Sequence, residues 1–163
     1  MQIITPPSSY GLTLATAVAT TSGTVVDFTG IPSTVKRITV MFSGVSTNGT
    51  SFIQIQIGST TFTTTGYASQ FWGGTTNSGV MTTGFGIFSL VGAANSFTGS
   101  VVLTNITGNT WVSNGNLIYA NTASVGWSSA GSLALGGTLD RVRITTVNGT
   151  DTFDAGSINI MYE

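Results

Sequence analysis

The sequence predicts an all-β protein, an antiparallel β-sandwich of jelly-roll-like type with about ten short strands. Three observations carry that expectation. Two segments alternate polar and apolar residues with the period of a pleated strand: Val35 to Ile57 (VKRITVMF, then FIQIQI) and Asp140 to Tyr162. Each contains an Asn-Gly pair, Asn48-Gly49 and Asn148-Gly149, and each therefore reads as a β-hairpin closed by a tight turn. Charged residues make up 6% of the chain, against about 25% in an average soluble domain, and Thr, Ser, Asn and 22 Gly supply the polarity instead. Sequence of this kind favours strands and turns. Finally, strand-like runs recur at short, regular spacing, and no stretch carries helical periodicity.

Met1 to Tyr10 (MQIITPPSSY) is expected to be an extended N-terminal arm, because Pro6-Pro7 enforces a polyproline-like backbone and removes ladder donors. It reads either as a frayed terminus or as an arm that docks on a neighbouring subunit, with Pro6, Pro7 and Tyr10 in contact. Residues 11–163 are long enough for one domain with a sizeable core. Leu12 to Val18 and Thr24 to Phe28 are short strands, the second closed by Gly30-Ile31-Pro32-Ser33. Val35 to Ser43 turns Ile38, Val40 and Phe42 inward; Phe52 to Ile57 turns Ile53, Ile55 and Ile57 inward and leaves Gln54 and Gln56 on the outer face. Thr60 to Thr65 is a Thr-dense strand.

Tyr67 to Ser78 (YASQFWGGTTNS) breaks the rhythm and reads as a long loop with exposed or half-exposed aromatics. Val80 to Val91 returns to strand, with a bulge expected near Gly84 or Gly86. Ser100 to Thr104 and Trp111 to Tyr119, interrupted at Asn114-Gly115, add further strands. Thr122 to Ser129 carries Trp127, and Ser132 to Leu135 leads through Gly136-Gly137 into the C-terminal segment.

The charge pattern bounds function. All four cations (Lys36, Arg37, Arg141, Arg143) lie in the two alternating segments, and no charged residue occurs between Arg37 and Asp140. With a net charge of −1, the chain has no electrostatic footprint for nucleic acid. A near-neutral surface repels itself weakly and favours association. Cys is absent, which removes disulfides, thiol catalysis and thiolate metal sites. No run of apolar residues is long enough for a membrane-spanning helix, and the N-terminus lacks the basic start of a signal peptide.

His is absent too, so the commonest general base is missing and Ser/His/Asp triads are excluded. A glycan-processing enzyme would need a pair of carboxylates in a cleft, and Asp151 and Asp154, either side of Thr152-Phe153, are the candidates. Their place after a turn favours backbone bonding over catalysis or Ca²⁺ ligation. The reading is therefore a protein that is not an enzyme and takes no cofactor. Tyr67, Phe71 and Trp72 are the candidate ligand or partner contacts, since sugar rings stack on aromatics while their hydroxyls bond amides and hydroxyls. Trp111 and Trp127 read as core residues or as part of such a surface.

Two stretches, VDFTGIPSTVKRITVMFSGVSTNGTS (Val26 to Ser51) and GTLDRVRITTVNGTDTFDAGSINIMYE (Gly137 to Glu163), resemble a family of small tailed-bacteriophage virion proteins, tail-fibre-like proteins or C-terminal fibre modules. The middle, Thr60 to Leu135, is similar only in being rich in Gly, Ser, Thr and Asn. The resemblance implies a virion structural protein, made in the host cytoplasm, that forms homotrimers and partners other virion proteins or a glycan of the host surface. The chain lacks the repetitive shaft of a long fibre, which raises the alternative of a capsid decoration (cement) protein stabilising the head shell as trimers.

Overall fold

The computed structural model describes residues 11–73, 77–88, 92–93, 95–121 and 126–163. Among them are fourteen strands and no helix: β1 (Thr13–Leu14), β2 (Val18–Ala19), β3 (Val25–Thr29), β4 (Arg37–Thr47), β5 (Ile53–Ser59), β6 (Thr61–Phe62), β7 (Ala68–Gly73), β8 (Asn77–Met81), β9 (Phe85–Phe88), β10 (Phe97–Thr107), β11 (Thr110–Tyr119), β12 (Gly126–Ala134), β13 (Arg141–Thr146) and β14 (Phe153–Tyr162). All pairings are antiparallel. The larger sheet runs β1-β14-β4-β10-β11-β12-β7-β8, with β2 also on β14; the smaller runs β3-β13-β5-β6, with β9 also on β5. The architecture is thus an all-β sandwich.

The two alternating segments are not hairpins. β4 pairs with β14 and β10 in the larger sheet, whereas β5 pairs with β13 in the smaller one; β13 and β14 are divided the same way. Asn48-Gly49 and Asn148-Gly149 therefore lie in corners that carry the chain from one sheet to the other. The alternation fits both arrangements, because an inward row faces the core whether its successor lies beside it or opposite it. The corners lock together. The Thr152 N–H donates to Asn48 Oδ1 (2.9 Å), and the Asn48 N–H to the Thr152 carbonyl (2.9 Å). The Ser51 N–H donates to Asp151 Oδ2 (3.0 Å), and the Asn148 N–H to Ser51 Oγ (3.1 Å). Gly149 adopts φ 69°, as its place requires. Gly49 is needed for another reason: a Cβ there would lie 2.0 Å from Asp151 Oδ2.

Three successive pairs, β4·β14, β5·β13 and β7·β12, alternate between the sheets. The strands β4, β5 and β7 thus run antiparallel to β14, β13 and β12 and wrap with them over the core. β10 and β11 form a plain hairpin inserted between β4 and β12. The inner faces meet in one core, including Ile38, Val40, Phe97, Trp127, Ile55 and Ile144. Four strands (β4, β10, β11, β14) reach ten or eleven residues, longer than the sequence suggests. Bulges bend β10 and β14 where they pair with β4.

The outer face of the smaller sheet is partly covered, with Val25, Asp27 and Thr29 of β3 left exposed. Phe62 on β6 lies under the guanidinium of Arg143, 4.0 Å from the ring centroid. Gln56 Nε2 donates to the Thr83 carbonyl (2.9 Å) and Thr83 Oγ1 to Gln54 Oε1 (2.8 Å). The two glutamines are consequently buried rather than solvated.

Candidate functional site

Ala68–Gly73 and Asn77–Met81 are paired strands rather than loop, with β7 between β12 and β8, while residues 74–76 lie outside the described residues. Tyr67 and Phe71 point into the core and are withdrawn from any contact surface. The Ile57 N–H donates to the Tyr67 hydroxyl (2.8 Å), which donates to the Thr63 carbonyl (2.9 Å), and burial pushes the phenol pKa far up. Phe71 packs on Trp127, with ring centroids 5.9 Å apart. Trp111 and Trp127 are core residues at 3% and 1% exposure. Trp72, one residue on, faces outward and is 53% exposed. Pro6, Pro7 and Tyr10 lie outside the described residues.

Register places the neighbours of Trp72. Ser128 of β12 and Ser78 of β8 are directly opposite it, and Asn116 of β11 is opposite Ser128. One step along the strands, Asn114, Ala130, Gln70 and Val80 form a second outward row; Val112, Ser132 and Ala68 form part of a third. The small side chains leave a shallow open groove of about 450 Å³ lined by Ala68, Gln70, Trp72, Val80, Ala130 and Ser132. The Ser128 hydroxyl donates to Asn116 Oδ1 (2.7 Å), which turns the Asn116 amide nitrogen to the surface. None of β10, β11, β12, β7 or β8 contains a charged residue. The sequence marks Trp72 together with Tyr67 and Phe71 but not its companions on the sheet face. Their signal is period-two alternation on β7 and β12, obscured because the inward positions carry Ser69, Gly73, Ser129 and Gly131 rather than large apolar residues.

The charged groups sit elsewhere, engaged with one another or with turns. Arg143 grips Asp27 through two hydrogen bonds of 2.7 Å. Arg141 Nε donates to Asp140 Oδ1 (2.7 Å), which holds the Asp140 carboxyl below its ordinary pKa. Arg37 pairs with Glu163 at 3.5 Å, and Lys36 Nζ donates to Asn105 Oδ1 (3.3 Å). Asp151 accepts from Ser51 and from the Asn148 amide (2.6 Å), and Asp154 accepts from Ser46 Oγ. Among the described residues no three His, Cys, Asp or Glu side chains converge as a metal site.

No family of known proteins matches this chain, and neither does any curated protein or solved structure.

Proposed function

We propose that the chain is a non-enzymatic structural protein of a tailed-bacteriophage particle, tail-fibre-like, homotrimeric, and contacting the host surface through the outer face that carries Trp72. The observation that carries this reading is where the resemblance falls. Val26 to Ser51 and Gly137 to Glu163 are far apart in sequence, yet their strands are partners: β3 with β13, and β4 with β14. Their two corners interlock as well. The fibre-like sequence is thus one cross-braced unit, and the dissimilar middle supplies β7 to β12 and the uncharged face. A shared base with a divergent exposed surface suits a protein that attaches to a particle by one part and meets a host by another. That all five carboxylates are taken by structural partners supports a role without catalysis.

Capsid decoration is the second reading, favoured by an apolar edge. Leu12, Leu14 and Val18 are exposed beside β14, and such a strip suits burial against a neighbouring subunit. Gold-labelled antibody on virions separates the two. Label at the tail tip supports the fibre reading, label over the head the decoration reading, and virions without label overturn both.

A further inference from the structure

We infer that the outer face of β11, β12, β7 and β8 is a binding site for a neutral oligosaccharide, with Trp72 as the stacking platform. The inference rests on the host-contact reading above and names the chemistry of its partner. Three observations converge on it. Trp72 is the one exposed tryptophan of three, and its indole offers an apolar face of the kind that the C–H side of a pyranose ring covers. Around it the register sets Ser78, Ser128, Asn116, Gln70 and Asn114, donors and acceptors matched to sugar hydroxyls. The span from Asn116 to Trp72 is two strand spacings, roughly 10 Å, the length of two linked pyranose rings. The groove over Ala68, Ala130 and Ser132 gives the chain of rings a floor without large side chains.

Charge selects among occupants. Five adjacent strands without a charged side chain offer nothing to pair with a carboxylate, sulfate or phosphate, so acidic glycans and nucleic acid are disfavoured. A protein partner would want a contiguous apolar centre. Here the apolar centre is small: Trp72 and Val80 line the groove together, but Ser128 and Gly126 lie between Trp72 and Ile118, and Gln70 lies between Val80 and Ala130. One aromatic beside a small apolar floor, flanked by the hydroxyls of Ser78 and Ser128 and the amides of Gln70 and Asn116, is the pattern for a polyhydroxylated, uncharged ligand.

The test uses the purified full chain and four probes: maltotetraose, chitotetraose and a mannotetraose as neutral ligands, and a heparin tetrasaccharide as the acidic one. Because Trp111 and Trp127 are buried, a ligand-induced change in tryptophan emission reports Trp72. At least one neutral probe should shift that emission at up to millimolar concentration. Trp72→Ala should abolish the shift and weaken binding, measured by calorimetry, by about tenfold or more, with Trp72→Phe between the two. Gln70→Ala should weaken it by about threefold or more without moving the melting temperature. No response to any neutral probe, a response to heparin alone, or Trp72→Ala binding like the parent overturns the proposal. Should Trp72→Ala prove unstable, the Trp72→Phe and Gln70→Ala affinities decide. Failure here leaves particle labelling untouched, and unlabelled virions leave the sugar titration untouched, so the two readings fail separately.

Discussion

Tyr67 shows how a single side chain closes a loop in this protein. Its hydroxyl joins the Ile57 N–H of β5 to the carbonyl of Thr63, just beyond β6, inside the core. Tyr67→Phe should destabilise the fold by about 1–3 kcal/mol, read from the denaturant midpoint, because both backbone groups lose their buried partner. Burial raises the phenol pKa, so the folded state resists ionisation. Stability from this group is complete below the unfolded phenol pKa of about 10 and is lost as pH rises beyond it. The Phe variant should therefore show a shallower alkaline fall in melting temperature. Asp140 behaves oppositely. Its hydrogen bonds from Arg141 and from the Thr60 N–H lower its pKa, and its contribution is present above the unfolded carboxyl value of about 3.9 and lost as pH falls through the lower folded value. Asp140→Asn should flatten part of the acid decline in melting temperature; an unchanged acid limb would remove Asp140 from the account.

The corners are the elements on which the winding depends. The first takes the chain from the larger sheet to the smaller, the second takes it back, and hydrogen bonds join the two. Gly49→Ala should cost about 1–3 kcal/mol, because its Cβ would displace the Asp151 carboxylate from Ser51 and Asn148. A urea midpoint equal to the parent's would mean that Asp151 does not brace the corners. β7 is the element that sequence pattern hides. Its inward residues include Ser69 and Gly73, and a Cβ at Gly73 would lie only 2.4 Å from the Trp127 ring. Ser69 also spends its hydroxyl on the Gly86 N–H of β9 (3.0 Å). A strand whose core face is small to admit its neighbours' aromatics looks, in one dimension, like a Gly/Ser loop.

For the whole molecule, the β1 edge of the larger sheet is a candidate seam of the proposed homotrimer. Leu12 and Leu14, 58% and 63% exposed, lie at the β1 edge of the larger sheet, away from the β7–β8 edge that carries Trp72. A net charge of −1 offers little repulsion against their burial. Sedimentation equilibrium should give a trimer for the parent and a smaller species for the Leu12→Ser/Leu14→Ser double variant. A monomeric parent would sink the assembly, and an unaltered trimer in the variant would move the seam elsewhere.

By itself the sequence determined the fold class, most of the strands and the inward rows of the two alternating segments. Period-two alternation in Ile38-Val40-Phe42, Ile53-Ile55-Ile57 and Ile158-Ile160 reports which face of each strand is apolar. It also determined that the middle of the chain carries no ions, and it marked the aromatic stretch that holds Tyr67, Phe71 and Trp72. Tertiary structure alone decided which strands are neighbours and which are opposite, and so turned two apparent hairpins into inter-sheet corners. It alone separated Tyr67 and Phe71 from Trp72, burying two and exposing one, and it alone gathered Gln70, Asn116 and Ser128 around the indole. The reason is physical. Alternation is a local property of one strand, whereas pairing partners and the companions on a sheet face are set by register across strands distant in sequence.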